Sequence, residues 1–369
     1  MRTFFLFAIT LSLLAGSSIA QNKKYDPEAG YNPTVVTDDK KKKKGAETTQ
    51  ALALPPELPA AVTADTDRLA FQVTPLLSKG LLSQQTREAL KLLLRSNRGP
   101  IVKLRAFVAG SGDLRRIGEI VGEMFLEKHM PLPALTVAQV GALPLEGAQV
   151  VLEATEEDRK VVNPSGVAFL AAQPAPGVTE SLAKLKTILA ASGMQPSDAL
   201  LVTCFISSLE DRRDTGPAMA TGFPGVAVNY VQMQRAPVSP AAACEATARL
   251  PKPVASADSH SIDSQIAMVS APQIVITATQ LAFGHQDSDL SLAFDRLEKA
   301  LATKNARFDQ VVLSHLYVTS SALANRVSAL QSARSAGTRT VVPVEALPSL
   351  DSVFGSDVIA VPDGAAAHP

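Results

Sequence analysis

Few residues of this sequence combine the side-chain type and the spacing that chemistry requires. The histidines are His129, His260, His285, His315 and His368, and their spacing matches no arrangement of metal ligands. His315 lies in a largely apolar predicted strand, residues 313–318, which favours a buried structural histidine over a catalytic one. We therefore predict no metal site.

A cofactor motif is also lacking. Gly110-Ser111-Gly112 is similar to the start of a phosphate-binding loop, but the Gly-Lys-Ser/Thr that would complete such a loop does not follow. We predict no cofactor.

The two cysteines, Cys204 and Cys244, leave two interpretations open. An oxidising compartment would allow them to form a disulfide. They could equally be small buried hydrophobic side chains, and the apolar strands around them favour this second interpretation.

Composition excludes one class of partner. Lysine plus arginine and aspartate plus glutamate each number 35, so the chain is neutral and carries no basic footprint for a nucleic acid. Tryptophan is absent and aromatic residues make up 5%, which disfavours stacking platforms for bases or sugars. We expect no nucleic-acid partner.

The first residues have the layout of a secretory signal. Arg2 supplies a basic start, residues 4–14 are almost wholly apolar, and Ser18-Ile19-Ala20 provides the small residues of a cleavage site. We predict a signal peptide at residues 1–20 and an exported protein, either periplasmic or secreted. No other stretch is long and apolar enough to span a membrane.

Residues 21–65 are predicted to be a disordered linker. Residues 38–45 form a charge run and residues 54–59 are rich in proline, and neither composition can form a packed core. The lysines of this run could attract an acidic surface, but a solvated linker is the favoured interpretation.

Beyond the linker the chain repeats itself. Residues 136–144 and 340–348 are identical at six of nine positions, at an offset of 204 residues (340 minus 136). An offset of this length leaves room for a middle copy. That copy is found where residues 167–173 match residues 274–280, each a buried strand ending in glutamine.

Hydrophobic spacing predicts the same elements in each copy. A helix follows the first strands, with Leu182, Leu185 and Leu189 on one face in the middle copy and Phe294, Leu297 and Leu301 in the last. A second helix follows in the first and third copies, whereas two glycines and a proline in residues 210–222 predict a short or absent helix in the second. The expected class is α+β, with repeats at residues 66–156, 157–252 and 262–362.

The order of these motifs resembles that of the RidA/YjgF-type (reactive intermediate imine deaminase) family. The resemblance implies a fold like that of the small trimeric chorismate mutases, and a homotrimer with ligand clefts between subunits. Three linked copies would then form a pseudo-trimer within one monomeric chain. The implied chemistry is hydrolysis of a small imine acid to a keto acid and ammonia, in which an arginine holds the carboxylate.

Carried over position by position, the family's site is largely lost. The arginine position is occupied by Leu135, Val226 and Arg339 in the three copies, so only Arg339 is a candidate substrate-binding residue. The family's other site positions are occupied by residues of other types. The glutamate position is Val151, Ala243 and Gly355 in the three copies, and the serine position is Val73, Ala171 and Ala278. The tyrosine position falls near Asp158 and Gln265. The acids that close the last strands, Glu153, Glu245 and Asp357, are expected to be structural.

Two hypotheses of function follow. The favoured one is a binding or interaction module with degenerate active sites, for a small carboxylate, an apolar metabolite or a protein partner. The alternative is an imine deaminase, a hydrolase acting on C=N bonds, with one working cleft at Arg339. No catalytic residue can be assigned from the sequence in either case.

Overall fold

The structure is a computed structural model that describes residues 56–110 and 112–364, without the side chains of residues 211–215 and 218. The predicted signal peptide (1–20) and residues 21–55 of the predicted linker lie outside the described residues. Within the described ranges the fold is α+β, with three mixed sheets and six α-helices. No helix found there is long and apolar enough to cross a membrane.

Sheet 1 is built by the first part of the described chain. The elements in chain order are β1 (Ala61–Asp65), β2 (Leu69–Val73), α1 (Leu82–Ser96), β3 (Ile101–Ala109), α2 (Arg115–Glu127), β4 (Ala134–Val140) and β5 (Val150–Glu157). The strand order is β2-β5-β3-β4, and β1 belongs to a different sheet.

Sheet 2 has six strands in the order β10-β11-β6-β9-β7-β8. Its elements are β6 (Val167–Ala175), α3 (Val178–Ala191), β7 (Ala199–Ile206), α4 (Asp211–Gly222), β8 (Ala227–Gln232), β9 (Ala242–Arg249), β10 (His260–Ile262) and β11 (Ile266–Val269).

Sheet 3 has the order β1-β12-β16-β14-β15, and β13 also pairs with β16. Its own elements are β12 (Gln273–Thr277), β13 (Gln280–Phe283), α5 (Asp287–Ala302), β14 (Val311–Val318), α6 (Ser321–Ser332), β15 (Thr338–Pro343) and β16 (Ser352–Ala360).

All three sheets share one pairing pattern around a central strand. β3, β7 and β14 each pair in parallel with the strand that follows the next helix, namely β4, β8 and β15. Each also pairs antiparallel with the last strand of its unit, namely β5, β9 and β16. The same pattern therefore allows positions in the three sheets to be compared by register.

The first strands are exchanged between sheets. β1 pairs antiparallel with β12 of sheet 3, and β11 pairs antiparallel with β6 of sheet 2. Sheet 1 has no added strand beside β2 in the described chain, because only residues 158–166 separate β5 from β6. The predicted linker boundary at residue 65 is too late, since residues 61–65 form a strand.

A glycine makes the close approach of β11 possible. Gly166 precedes β6 with a φ of 97°, and a Cβ atom there would lie 2.1 Å from the carbonyl oxygen of Val269. Any other residue would be strained in this conformation and would push β11 away from the sheet.

Apolar helix faces form three cores, one under the helices of each sheet. Leu182, Leu185 and Leu189 are buried as predicted, and so are Phe294, Leu297 and Leu301. Two further cores lie where the sheets meet. One contains Val102, Val167, Ile274 and Leu313, and the other contains Phe107, Phe205 and Tyr317.

Helix α4 differs from the sequence-based expectation. It spans 12 residues with Pro217 inside it, although a short or absent helix was expected. Met219 and Phe223 are buried in the core under sheet 2. This tertiary packing outweighs the poor helix propensity of the segment.

Candidate functional site

A charged cluster lies between the two cores where the sheets meet. Arg105, Thr203 and His315 occupy equivalent places on β3, β7 and β14, because each stands directly opposite the acidic residue of its own last strand. These acids are Glu153, Glu245 and Asp357. We call these six residues, together with Lys103, the central cluster.

Arg105 joins sheets 1 and 2 and lies beside His315 of sheet 3. Its guanidinium donates from Nε to Glu153 Oε2 at 2.6 Å in its own sheet, and from Nη1 to Glu245 Oε1 of sheet 2 at 2.7 Å. Nη1 also lies 3.1 Å from His315 Nε2 of sheet 3. Planar, forked donors of this kind suit paired carboxylates. The side chain is buried, and the two carboxylates keep its pKa well above the usual value despite the opposing effect of burial.

Lys103 forms a second link between sheets 1 and 3. Its Nζ donates to Thr136 Oγ1 at 2.7 Å and to the carbonyl oxygen of Thr277 at 2.6 Å, and it lies 3.4 Å from Asp357 Oδ2. Burial lowers the pKa of Lys103 to about 8, although Asp357 opposes this shift.

His315 supplies the third positive charge. Its Nδ1 lies 2.9 Å from Asp357 Oδ1, and its Nε2 lies 3.3 Å from Glu245 Oε2. Burial alone would lower the pKa of His315, but the two carboxylates outweigh burial and raise it to about 9. The protonated ring can then donate from Nδ1 to Asp357 and form an ion pair with Glu245, and its contact with Arg105 is a contact between two cations that share Glu245.

Two carboxylates of the cluster, those of Glu245 and Asp357, have lowered pKa values. Burial tends to raise the pKa of Glu245, but Arg105 and His315 lower it to about 2. Asp357 is shifted in the same direction, well below its usual range, because Lys103 and His315 outweigh burial. Three cations and three carboxylates therefore balance inside the molecule, as buried charges require.

The central cluster leaves little room for a substrate. The cavity beside it has a volume of about 60 Å³, and its walls include the apolar side chains of Leu69, Phe169, Leu201 and Ile276. A few water molecules fit such a space. No group of three or more His, Cys, Asp or Glu residues in the described ranges could hold a metal ion.

Register locates the position at which the family resemblance expects an arginine. Leu104 pairs with Leu135, Val202 with Val228, and Ser314 with Arg339, on the parallel strands of the three sheets. The sequence-based assignment of Val226 in sheet 2 is therefore wrong by two residues, because Val226 precedes β8. Its replacement, Val228, is equally unable to bind a carboxylate.

Each of these positions lies in a groove between two sheets, named here by its residue. The Leu135 groove runs between β4 and the residues that join β12 to β13. The amide of Thr279 donates to the carbonyl oxygen of Leu135 at 3.2 Å across it. Residues 56–60 lie at this groove: Leu58 and Leu135 pack against the same core and both approach Gly118 of α2, and the amide of Ala278 donates to the carbonyl oxygen of Ala60 at 2.8 Å.

The Val228 groove runs between β8 and β2. It contains a cavity of about 530 Å³ whose walls combine apolar residues such as Val73 and Val226 with polar residues such as Gln72 and Glu156. Arg249 lies at one end of this cavity and donates from Nε to Asn163 Oδ1 at 3.2 Å. No cation occupies the register position of Arg339 in this groove.

The Arg339 groove runs between β15 and β6. The amide of Ala172 donates to Thr340 Oγ1 at 2.9 Å, which fixes the two strands side by side. Arg339 is exposed and donates from Nη1 to Gln331 Oε1 at 3.3 Å. Its guanidinium makes no ion pair with any carboxylate of the described residues. Arg339 is thus an exposed cation without an ion-pair partner among the described residues, on the strand that lies beside β6.

The positions expected for serine and tyrosine lie at the same grooves. Ala171 donates its amide to the carbonyl oxygen of Gln265 at 2.9 Å, as Ala278 does to Ala60. Gln265 Nε2 also lies 3.3 Å from Gln173 Oε1. Asp158 lies away from these contacts, with its carboxylate 3.5 Å from Arg98 Nη1.

The positions expected for the catalytic glutamate are apolar. Val151 and Ala243 are buried. A Cβ atom at Gly355 would meet the methyl carbons of Thr279, Leu281 and Leu347. None of these three places can hold a general base that activates water.

Cys204 and Cys244 are paired in the structure. They stand opposite each other on β7 and β9, and their sulfur atoms are 2.07 Å apart, in a disulfide. The bond closes a loop of 40 residues within sheet 2. The sequence favoured the alternative of two free buried thiols.

The central cluster itself was missed from the sequence. The closing acids were expected to be structural, and His315 was expected to be buried, but their cationic partners were not identified. The available signal was the pair Lys103 and Arg105, two charges inside the otherwise apolar strand of residues 101–108. Charges inside a fully buried strand require partners.

No protein-family model and no curated protein matches this chain. Solved structures match about a quarter of it. A member of the YjgF/YER057c/UK114 family from Mycobacterium tuberculosis is 22% identical, with 24% of this chain and 78% of that chain covered and a TM-score of 0.23.

Two further structures give the same picture. RidA from the Antarctic bacterium Psychrobacter sp. is 17% identical, with 24% of this chain and 80% of that chain covered and a TM-score of 0.23. E. coli TdcF, solved with bound serine, is 15% identical, with 24% and 80% covered and a TM-score of 0.22. At these identities and TM-scores the similarity supports no conclusion about activity.

Proposed function

We propose that this chain is an exported binding protein made of three RidA-like repeats, and that it binds a small carboxylate in the Arg339 groove. The repeats cover residues 66–156, 157–252 and 262–362, and they close into a trimer-like arrangement within one chain. One observation carries the proposal: of the three register-equivalent groove positions, only that of Arg339 holds a cation.

The arrangement of the sheets supports an internal trimer. Each sheet repeats one pairing pattern, and each contributes one carboxylate to the central cluster. The exchanged strands β1 and β11 tie sheet 1 to sheet 3 and sheet 3 to sheet 2 by backbone pairing. A closed arrangement of three similar units covers the inner sheet faces that a single unit would leave exposed.

The chemistry of Arg339 supports a carboxylate ligand. A guanidinium presents a planar fork of donors that matches the two oxygens of a carboxylate. Leu135 and Val228 offer no donor at the matching places, and an apolar wall leaves a bound anion without compensation for its lost hydration. Small keto acids such as pyruvate and 2-oxobutanoate have the required head group.

The absence of a carboxylate at the three glutamate positions favours binding over catalysis. Val151, Ala243 and Gly355 can neither accept a proton nor orient a water molecule. We therefore expect the purified mature chain to release no ammonia beyond the uncatalysed rate from imines generated by an amino-acid oxidase. Faster release that is lost in Arg339→Ala would replace the binding proposal with the imine deaminase alternative.

Export is proposed from the sequence of residues 1–20 and is consistent with the disulfide between Cys204 and Cys244. Disulfides persist in oxidising compartments such as the periplasm and the extracellular space.

Titration calorimetry with pyruvate and 2-oxobutanoate tests the carboxylate site. We expect weak binding at one site per chain, and a loss on the order of a hundredfold in affinity for Arg339→Ala. The affinity of Arg339→Lys should lie between those of the wild type and Arg339→Ala, because lysine keeps the charge but loses the forked donor geometry. Arg307→Ala is the matched control, since Arg307 is an exposed arginine of the same repeat that is paired with Asp309 and Asp363.

Two results would contradict the proposal. Equal binding by the wild type and Arg339→Ala would place the anchor elsewhere. Binding by neither protein would remove the carboxylate ligand from consideration.

A further inference from the structure

The three grooves differ in what lies across them. Among the described residues, the Leu135 groove is crossed by residues 56–60, which lead into β1. In the Arg339 groove the corresponding contact comes from Gln265, whose carbonyl oxygen accepts the amide of Ala171 as that of Ala60 accepts the amide of Ala278. There the chain turns back at once into the β10–β11 hairpin, because Asp263 Oδ1 accepts the amides of Gln265 and Ile266.

Helix α2 is shaped to receive this segment. Gly118 and Gly122 are four residues apart, so they lie on one face of the helix. A Cβ atom at Gly122 would lie 2.9 Å from Cγ of Pro56, and one at Gly118 would lie 3.8 Å from Cδ1 of Leu58 and 3.7 Å from Cδ2 of Leu135. Glycine is a poor residue for a helix interior, so its presence at Gly122 is explained by the close approach of the segment.

We propose that the Leu135 groove is a binding site for a short apolar peptide segment, and that residues 56–60 of the same chain occupy it as a built-in ligand. Leu58 is the bound side chain, and Leu135, Gly118 and Gly122 form the surface that it packs against. The backbone bond from Ala278 to Ala60 sets the direction of the segment. An apolar side chain at position 135 is thus explained by its packing near Leu58 of this segment, and not only by the loss of an arginine.

This assignment does not depend on a ligand at Arg339. It gives two of the grooves separate roles, because residues 56–60 fill the Leu135 groove and Arg339 lies at the groove named after it. It also implies that displacement of residues 56–60 uncovers an apolar groove able to bind an apolar small molecule.

Cleavage by a glutamate-specific protease measures the release of the segment in the full-length mature chain. The bond after Glu57 can be cut only when the neighbouring residues leave the groove, since a protease needs several residues in extended form. We expect Leu58→Asp and Gly122→Ala to be cut after Glu57 at least about tenfold faster than the wild type, with the products identified by mass. Gly216→Ala is the matched control, because Gly216 lies in helix α4, where a new Cβ atom would meet no described atom within 4 Å, and the cleavage rate should stay at the wild-type level.

A fluorescent apolar dye, anilinonaphthalene sulfonate, measures the uncovered groove in the same proteins. Dye fluorescence should rise in Leu58→Asp and Gly122→Ala and stay low in the wild type and Gly216→Ala. Circular dichroism establishes that each variant is folded, and Leu58→Ala replaces Leu58→Asp if the latter does not fold. Wild-type cleavage rates in all variants, or unchanged dye fluorescence in the folded ones, would overturn the proposal, whereas pyruvate binding at Arg339 should be the same in every protein.

Discussion

At the scale of single residues, the central cluster is the most constrained part of the molecule. Its charges come from all three sheets, and each charge has an opposite partner within hydrogen-bonding or ion-pairing distance. Buried ion pairs of this kind contribute modestly to net stability, but the loss of one partner leaves an uncompensated charge in a low-dielectric interior. The arrangement is satisfied only when the three sheets meet in this register.

Removal of Arg105 should be strongly destabilising. Arg105→Leu leaves both Glu153 and Glu245 without their main partner, and we expect a loss of about 3–5 kcal/mol in the free energy of unfolding. Urea denaturation monitored by circular dichroism measures this. Arg307→Leu removes an exposed arginine and should leave the urea midpoint unchanged. Similar midpoints for both variants would show that the cluster is not required.

His315 should make stability depend on pH near neutrality. Because its pKa is raised from 6.5 to about 9 in the folded protein, its contribution is complete below pH 6.5 and is lost as the pH rises through 9. Lys103 has the opposite effect above its lowered pKa of about 8, where the folded state binds fewer protons than the unfolded state. The interval from pH 6.5 to 8 therefore isolates the effect of His315.

Within that interval we expect wild-type stability to fall by on the order of 2 kcal/mol, since one proton corresponds to about 1.4 kcal/mol per pH unit. His315→Gln should be less stable at pH 6.5 and should show a flat profile up to pH 8. Urea midpoints measured at several pH values provide the comparison, and a flat wild-type profile would contradict the raised pKa.

At the scale of elements, hydrophobic spacing predicted the helices and strands, because their formation depends largely on nearby residues. The helix faces that include Leu182 and Phe294, and the strands around Thr203 and His315, lie where hydrophobic spacing places them. The spacing could not show that β1 joins sheet 3, because its partner β12 is about 200 residues away along the chain. The pairing of Arg105 with Glu245 and His315 was hidden for the same reason.

Single-residue assignment along a strand was also less accurate than the choice of strand. The arginine position of sheet 2 was placed at Val226 instead of Val228, because the motif there is degenerate and only the parallel register identifies the partner of Val202. Both candidates are valines, so the conclusion that this groove lacks an anchor is unchanged.

Strand β1 should be required for stability, and the direction of its amides allows a matched test. The carbonyl oxygen of Ala60 accepts the amide of Ala278, and the amide of Thr66 donates to the carbonyl oxygen of Pro272. Both partners flank β12. The amide of Asp65 points away from β12 and donates to Glu157 Oε1. The backbone amide and carbonyl groups of the even-numbered residues of β1 therefore point toward β12. Ala64→Pro should cost about 1–3 kcal/mol by removing a ladder hydrogen bond, and Thr63→Pro should cost less. Thermal unfolding of both variants distinguishes these cases, and equal losses would contradict the observed register.

At the scale of the whole molecule, the proposed internal trimer depends on contacts between the inner faces of the three sheets. The inner faces of the sheets are covered by one another in the two cores where they meet. An isolated unit would expose residues such as Phe107, Phe205 or Tyr317, which are fully buried here.

We therefore expect the mature full-length chain to be a monomer, as measured by light scattering coupled to size-exclusion chromatography. Any single repeat expressed alone should be insoluble or self-associating, because its inner face lacks a cover. A stable trimer of the full chain, or a soluble monomeric single repeat, would contradict the internal arrangement.

The difference between Arg105, Thr203 and His315 has an evolutionary consequence. In an assembly of three identical chains, every substitution near the centre appears three times at once. An arginine at this level would bring three guanidinium groups together, and their mutual repulsion would have to be compensated by threefold-repeated acids. In a single chain each position mutates alone. A set of unlike residues with zero net charge can then be selected one substitution at a time. In the same way, each groove can evolve a different function.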